Sequence, residues 1–419
     1  MSRLAVAVIA VLLAGCASSP ALVSVSPSTS PVAAAASSAP PSPVPTAPPS
    51  DPPPPSATPR PTPTAVDYED WTPIPGVIDT KLRWLAWSPD SRHLLVPRAE
   101  VGHSPAMDVF SAAGQLIQTI TDFDEGLWLD SERLVLTRYG DEGEYVYNEM
   151  RQPEGATSYL AQLGSDHVEA LGENLAASRS SGAGALAVPT CWICRPNVGF
   201  YREVAFRTWT VEDGFSEALR GHAIRWSRGG DRVLVEHPLQ SGPARDSWWE
   251  TLSYPDMTRF ARGGGLLNAD LTRTVRISSA ESSVARVTDL VSRETLDLPV
   301  PFDDFHVQWD ASGSLLVNDR IGSAALMGMD GQLRGQWANV GHITPFSSSD
   351  DETTHVLWFD ETVESTGDLA IVRHGALSRV HIPGQLYNGA GSVAPAPDGS
   401  VLAVMAYVDQ RAAVLLVAL

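Results

Sequence analysis

Short apolar runs alternate with turns rich in Ser, Asp and Gly along most of this 419-residue chain. Four clear copies of this plan are residues 82–96 (LRWLAWSPDSRHLLV), 223–235 (AIRWSRGGDRVLV), 306–317 (HVQWDASGSLLV) and 392–404 (SVAPAPDGSVLAV). Apolar runs of four to seven residues joined by such turns indicate β-hairpins rather than helices. No helical period of useful length interrupts the pattern, so the sequence predicts an all-β fold.

The turns recur at a regular spacing. Their centres are Asp90, Asp130, Ser180, Gly229, Asp270, Ser312, Asp350 and Asp398, at intervals of 38 to 50 residues. Further hairpins fall between them, as at residues 325–337 and 369–382. A four-stranded propeller blade uses about 40–45 residues. The sequence therefore predicts a single β-propeller of eight four-stranded blades, with seven as the alternative because the repeats within 138–220 are the weakest.

The two ends of the repeat region complement each other. The last repeat supplies three strands, at 391–396, 401–407 and 412–418, and lacks a fourth. Residues 72–79 (TPIPGVID) precede the first repeat and supply the missing strand. We therefore expect the N-terminal strand to close the ring by pairing with the C-terminal blade.

Short turn motifs carry a resemblance to known propellers. W-S-P-D-S at 87–91 and A-P-D-G within 395–399 resemble the WD40-like repeats of TolB-type propellers, and Gly221-His222 and Gly341-His342 resemble the Gly-His pair of WD40 repeats. The Trp-Asp ending of WD40 strands is missing. The resemblance implies a platform for protein partners, or for small ligands in the central funnel.

The N-terminus carries an export signal. An apolar run of ten residues, 4–13, follows Arg3 and is too short to span a bilayer. Leu13-Ala14-Gly15-Cys16 ends it and resembles the lipobox of bacterial lipoproteins, which implies cleavage before Cys16 and lipidation of its thiol, with palmitate among the acyl chains. The alternative is an ordinary secretory signal with a chance cysteine. We expect a signal peptide at 1–15 and a protein anchored outside the cytoplasm of a bacterium.

Residues 16–66 consist almost entirely of Ala, Ser, Pro, Thr and Val. Such a segment cannot bury enough apolar surface to offset its chain entropy, so it is predicted to be a disordered tether. The propeller domain then occupies residues 67–419.

The charge limits the choice of partners. The chain has 29 basic and 49 acidic residues and a net charge of −20, and the predicted propeller alone carries 27 basic and 48 acidic residues. A surface of this sign repels nucleic acid and anionic lipid. We expect no nucleic-acid partner, membrane contact through the lipid anchor alone, and a monomer that binds a protein or cell-wall partner.

Four tryptophans occupy matching positions in four repeats: Trp87, Trp128, Trp226 and Trp309. Packing between blades is the favoured interpretation, with a ligand-binding aromatic cage as the alternative. The polar neighbours Arg225 and Gln308 are predicted to line the funnel, with pairing between blades as the alternative.

Cys191 and Cys194 form a C-W-I-C motif in a predicted loop. Two nearby thiols outside the cytoplasm normally oxidise, so a structural disulfide is the first interpretation. A redox pair, a metal site and free thiols remain alternatives.

No motif for catalysis or cofactor binding is present: H-E-x-x-H, G-x-S-x-G, P-loop and dinucleotide glycine patterns are all missing. Residues 122–126 and 350–352 are acidic enough to bind Ca²⁺, although solvated turn acids are the more common case. No catalytic, cofactor-binding or metal residue is predicted. We expect an interaction or scaffold module at the cell envelope. The alternatives are an enzyme of lyase or hydrolase type or a ligand sensor acting in the funnel, and a structural envelope component.

Overall fold

The computed structural model describes residues 71–74, 84–98, 105–139, 156–175, 178–189, 205–237, 248–277, 283–303, 305–319, 323–338, 343–359, 368–386, 393–408 and 411–419. Regular structure in these residues consists of β-strands without helices, arranged in eight antiparallel sheets. The eight sheets are the blades of one β-propeller, as the repeat predicts.

Strands are lettered A to D from the inside of each blade outwards. Blade 1 comprises Ala86–Trp87, His93–Arg98, Ala106–Ser111 and Leu116–Thr121, and blade 2 comprises Glu125–Trp128, Arg133–Arg138, Thr157–Gln162 and Val168–Ala170. Blade 3 comprises Arg179–Ser180, Ala185–Pro189, Ala205–Thr210 and an outer strand in two pieces, Gly214–Phe215 and Leu219–Arg220. Blade 4 comprises His222–Trp226, Arg232–His237, Trp248–Ser253 and Thr258–Gly263.

Blades 5 to 8 follow the same order. Blade 5 comprises Leu266–Leu267, Arg273–Ile277, Val284–Asp289 and Thr295–Pro299, and blade 6 comprises Phe305–Trp309, Leu315–Asp319, Ala324–Met327 and Leu333–Trp337. Blade 7 comprises Ile343–Ser348, Thr354–Phe359, Asp368–Arg373 and Ala376–His381. Blade 8 has an inner strand in two pieces, Gln385–Leu386 and Val393–Pro395, followed by Val401–Val408, Arg411–Ala418 and Thr72–Ile74.

The ring closes through blade 8, as expected. Its outer strand is the N-terminal segment Thr72–Ile74, in which Thr72 pairs with Leu416 and Ile74 with Val414. Ile74 is buried in a core that blades 8 and 1 share. The predicted partner extends to residue 79, and its second half lies outside the described residues.

Apolar contacts between blades hold the ring together. B and C strands of each blade alternate their side chains between the two neighbouring blades, so each seam has its own hydrophobic core. The core between blades 5 and 6, for example, includes Val275, Val287, Val317 and Met327. A strands of several pairs of adjacent blades contact one another, which places the A strands around the central axis.

The four matching tryptophans are buried between blades, as the packing interpretation predicts, with at most 9% of each exposed. Each is the last residue of its A strand and donates its indole N–H to a carbonyl of the preceding blade: Trp87 to Ala394, Trp128 to Ala86, Trp226 to Arg179 and Trp309 to Leu266, at 2.8–3.1 Å. The burial supplies the hydrophobic contribution, and the hydrogen bond fixes the register of one blade against the next.

Candidate functional site

The turns between strands A and B, here the AB turns, share one local geometry. They span residues 88–92, 129–132, 181–184, 227–231, 268–272, 310–314, 349–353 and 396–400. A side-chain oxygen near the start of several turns bonds to another within the same turn, as in Ser88 Oγ to Asp90 (2.6 Å) and Ser349 Oγ to Asp351 (2.6 Å). Short Ser and Asp side chains that bond locally in this way favour tight turns over continued strand.

At five of the eight seams, hydrogen bonds between described residues join the AB turns of neighbouring blades. The backbone N–H of Arg228 donates to the carbonyl of Ala269 (3.0 Å), that of Asp351 donates to Pro397 (2.9 Å), and that of Asp398 donates to Ser91 Oγ (3.0 Å). The same relation joins blades 6 and 7 and blades 2 and 3. We call this set of eight turns the AB rosette.

The AB rosette also makes contacts across the axis. Arg228 of blade 4 donates from its guanidinium to the carbonyl of Asp351 in blade 7 (3.3 Å). A Cβ placed on Gly182 of blade 3 would lie 3.1 Å from Pro89 Cγ of blade 1. Neither pair belongs to neighbouring blades. The turns therefore meet over this end of the channel, and a ligand would enter the channel from the other end.

Glu352 lies at the centre of the AB rosette. Its Oε1 accepts a hydrogen bond from the backbone N–H of Ala269 in blade 5 (2.7 Å), and its carbonyl accepts one from Ala311 in blade 6 (2.8 Å). Burial raises the pKa of this carboxyl, while the bond from Ala269 and the charge of Arg225 act in the opposite direction. One residue of blade 7 thus connects the turns of three blades.

Arg225 lies beside this carboxylate in the A strand of blade 4. It is half-buried, and its guanidinium donates to the carbonyls of Leu267 (2.7 Å) and Asn268 (3.0 Å) in blade 5. Burial lowers its pKa, and the charges of Glu352 and Asp350 oppose that shift. Arg225 thus faces the axial carboxylates while it ties two blades together.

Gln308, the other residue singled out from the sequence, is half-buried in the A strand of blade 6, paired in register with Leu316. The side chains of Arg225 and Gln308 have no hydrogen bond between them in the described part of the chain. Their common feature is position: each directly precedes the tryptophan that ends its strand.

Two basic residues begin the A strands of blades 3 and 4. Arg179 begins the A strand of blade 3 and is exposed, and His222 begins that of blade 4. Burial, and then the charge of Arg179, lower the pKa of His222, while Glu236 raises it.

A buried pair of ionisable side chains joins blades 6 and 7. His355 Nε2 lies 3.4 Å from Asp310 Oδ2, and neither side chain is more than 5% exposed. Burial works against ionisation of Asp310, but hydrogen bonds that include His355 and Ser312 keep its pKa below the ordinary value.

Asp310, His355 and Ser312 do not form a hydrolase triad. Asp310 lies between the two others, since Ser312 Oγ donates to Asp310 Oδ1 (2.6 Å). A nucleophilic triad needs the imidazole between the acid and the hydroxyl, so that it can accept the hydroxyl proton. This arrangement therefore stabilises the seam between blades and leaves Ser312 without a base.

The acidic segments considered for Ca²⁺ serve the fold where they are described. Asp124 Oδ2 accepts the backbone N–H of Tyr139 (2.7 Å), and Glu352 is held by Ala269. Across the described ranges, no three or more His, Cys, Asp or Glu side chains are grouped so that they could hold a metal ion.

An open depression lies over the AB and CD turns of blade 2, lined by Asp130, Ser131, Glu132, Arg133 and Gln162. Arg133 Nε bonds to Asp130 Oδ2 at 2.7 Å, and Gln162 Nε2 donates to Glu132 Oε2 at 3.4 Å, so the polar groups of this depression bond to one another. We assign no chemistry to it.

Cys16, Cys191 and Cys194 lie outside the described residues. Cys191 and Cys194 fall between strands B and C of blade 3, in the BC connection that joins Ala185–Pro189 to Ala205–Thr210. The described residues contain no helix long and apolar enough to cross a membrane.

No protein-family model and no curated protein matches this chain. Among solved structures, similar folds occur in the mitotic checkpoint complex (14% identity, TM-score 0.39, 84% of this chain and 94% of that one), in the eukaryotic initiation factor (11%, 0.42, 79% and 83%) and in BamB from Moraxella catarrhalis (12%, 0.43, 83% and 97%). At these values the similarity carries no argument about function, which must come from the chain itself.

Proposed function

We propose that this protein is a non-catalytic interaction or scaffold module, held outside the cytoplasm by a lipid on Cys16 and carried by the 16–66 tether. Its propeller binds a protein or cell-wall partner through the face that bears the BC connections. The lipobox-like Leu13-Ala14-Gly15-Cys16 and the Pro-rich composition of the tether support the first part of this proposal.

The difference in connection length between the two faces supports the second part. Every AB turn has four or five residues, whereas the BC connections range from two residues in blade 8 (409–410) to 15 in blade 3 (190–204) and 18 in blade 2 (139–156). Blades 2, 3 and 4 are adjacent and carry the three longest, the third being 238–247. Binding residues are found disproportionately on loops that a rigid scaffold positions.

The composition of these connections supports the same assignment. Tyr145 and Tyr147 lie in the blade 2 connection, and Trp192 and Tyr201 lie in that of blade 3. Tyrosine and tryptophan are enriched among residues that dominate binding energy at protein interfaces.

Site-specific photocrosslinking of the full chain, in the cells that produce it, tests the partner face. A crosslinking residue at Tyr147 or Tyr201 should capture one discrete partner, while the same residue at Gln115 or Gln332, in CD turns of the opposite face, should capture none. Capture from Gln115 or Gln332 alone would contradict the assignment of the face.

The anchor is tested separately. Wild-type chain should incorporate radiolabelled palmitate and sediment with membranes, and Cys16→Ala should abolish both without changing the circular dichroism of the propeller. A Cys16→Ala chain that stays acylated and membrane-bound would contradict this part of the proposal.

A further inference from the structure

Blade 4 carries an arginine that is held in place and has unused hydrogen-bond donors. Arg262, in strand D, lies with its guanidinium carbon 3.9 Å from the centre of the Trp248 indole ring. The residue is exposed, and its guanidinium makes no hydrogen bond or ion pair with any described residue. Stacking orients the planar guanidinium while its N–H edges face outward, an arrangement suited to bidentate recognition of an oxyanion.

His237 fixes Trp248 from the other side. The imidazole stacks on the indole with ring centres 3.9 Å apart and planes at 12°. His237 belongs to strand B and Arg262 to strand D, on the two sides of strand C, so we infer that they flank the Trp248 indole. The stacked groups are contributed by strands B, C and D of one blade, and the strand ladder keeps them aligned.

A β-bulge brings a second arginine to the same face. Residues three apart on a regular strand point to opposite faces of the sheet. Here Arg262 pairs with Glu250 and Arg259 pairs with Leu252, so Phe260 is the additional residue of the bulge. Arg259 and Arg262 therefore project from one face of blade 4. Bulges commonly redirect a side chain in this way next to functional sites.

Glu250 positions the second arginine and the imidazole. This residue is 7% exposed, and its two oxygens are taken by Arg259 Nε (2.8 Å) and His237 Nε2 (2.8 Å). A buried carboxylate is costly unless it is paired, and both partners are supplied here. The side chain of Arg259 remains 61% exposed, so the rest of its guanidinium is accessible.

We propose that Arg262 and Arg259, supported by Trp248, His237 and Glu250, form a binding site for an oxyanion group of phosphate or carboxylate type. The site lies on the rim of blade 4, outside the central channel, and goes beyond the proposed function. Arg259, Arg262 and Glu250 together carry a net charge of +1 on a chain whose net charge is −20, so this site favours an anionic group where most of the surface repels one.

Direct binding to the purified full chain tests this site. Equilibrium dialysis with radiolabelled inorganic phosphate, and separately with radiolabelled acetate, at constant low ionic strength set by sodium chloride, measures each oxyanion source. We expect one saturable site for at least one probe. Saturation by phosphate alone assigns a phosphate group, saturation by acetate alone assigns a carboxylate, and saturation by both assigns the shared chemistry. Absence of saturable binding of both probes overturns the proposal.

Three substitutions locate the site. Arg262→Gln should weaken binding at least about tenfold, the loss expected for a charged bidentate contact. Arg262→Lys keeps the positive charge but loses the planar guanidinium with its two parallel N–H donors, and should weaken binding less than Arg262→Gln. Arg286→Gln is the matched control, because Arg286 is 54% exposed but already bonded to both oxygens of Asp297 at 2.7 and 2.8 Å.

The melting temperature of every variant is measured alongside binding. In the described part of the chain the guanidinium of Arg262 stacks on Trp248 and forms no hydrogen bond, so Arg262→Gln should melt within a few degrees of wild type and still bind weakly. Equal affinity of Arg262→Gln and Arg286→Gln, with both variants folded, overturns the assignment of the site.

Discussion

The two ends of this propeller are joined by the same strands but by very different connections. At the AB end, eight turns of four or five residues bond to one another and across the axis, as between Arg228 and Asp351. At the other end, the BC connections vary in length from two to eighteen residues. A short turn that must also contact its neighbours can change little, whereas each doubling of a surface loop costs only about 0.6 kcal/mol in closure entropy. The chain thus separates the end that holds the ring from the end that can diversify.

Among the substitutions at the AB end, Trp309→Ala should lower the free energy of unfolding the most. Trp309→Ala removes an indole that is 3% exposed and its bond to Leu266, and should cost about 3–5 kcal/mol of unfolding free energy. Trp248→Ala is the matched change near the BC end, where the indole is half-buried, and should cost clearly less. Urea unfolding followed by circular dichroism measures both, and equal losses would remove the difference between the ends.

Asp310→Asn should cause the next largest loss of unfolding free energy, and this loss should depend on pH. Asp310→Asn removes the charge that accepts the hydrogen bond of Ser312 Oγ and faces His355 Nε2 at 3.4 Å, and should cost about 1.5–3 kcal/mol at pH 7. The folded pKa of Asp310 lies below its value in the unfolded chain, so its stabilisation is present above about pH 4 and is lost as the pH falls further.

The difference in unfolding free energy between wild type and Asp310→Asn should therefore shrink from pH 5 to pH 2. Urea titrations at each pH measure it. A difference that stays constant over this range would show that the charge of Asp310 does not contribute.

Substitutions of Glu352 should lower the free energy of unfolding by less, and the contribution of this carboxyl should depend on pH in the opposite direction. Glu352→Ala leaves the N–H of Ala269 without its acceptor and should cost about 1 kcal/mol, whereas Glu352→Gln keeps an acceptor and should cost less. Burial raises the folded pKa of Glu352, so this group makes folding more favourable as the pH falls through that pKa. On acidification through this pKa, the free energy of unfolding of wild type should therefore rise relative to that of Glu352→Gln, which has no titrating group at this position.

Shortening a BC connection should have the smallest effect on stability. Replacing residues 139–156 by a six-residue Gly/Ser linker should change the unfolding free energy by less than about 1 kcal/mol. A six-residue insertion between Asp350 and Asp351 in the AB rosette is the comparison and should destabilise more. Comparable losses for the two variants would contradict the separation of the two ends.

The sequence predicts the parts of this fold that depend on local chemistry. W-S-P-D-S at 87–91 specifies a hairpin because Ser88 and Asp90 bond within the turn, and the spacing of such turns gives eight blades. The pairing of Thr72–Ile74 with the last blade also follows, since the last repeat supplies only three strands and the N-terminal segment provides the fourth.

Contacts set by the closed ring could not be predicted in this way. Arg228 and Asp351 are 123 residues apart, and only the diameter of an eight-bladed ring brings their turns together. Glu352 stood out in the sequence only as one acid in a cluster, because its partner is the backbone of Ala269. The alternation rule would place Arg259 and Arg262 on opposite faces, and the bulge at Phe260 reverses that expectation without a glycine or proline to signal it.

Hydrogen–deuterium exchange of the AB turns tests the central claim most directly. The amides of Arg228, Ala269 and Asp351 bond to other blades, whereas those of the CD turns, such as Gly331, bond within their own turn. The account predicts that peptides over 268–272 and 349–353 exchange markedly more slowly than peptides over 328–332, and that Glu352→Ala accelerates exchange at 268–272. Equal exchange rates in the AB and CD turns would contradict a closed and rigid AB end.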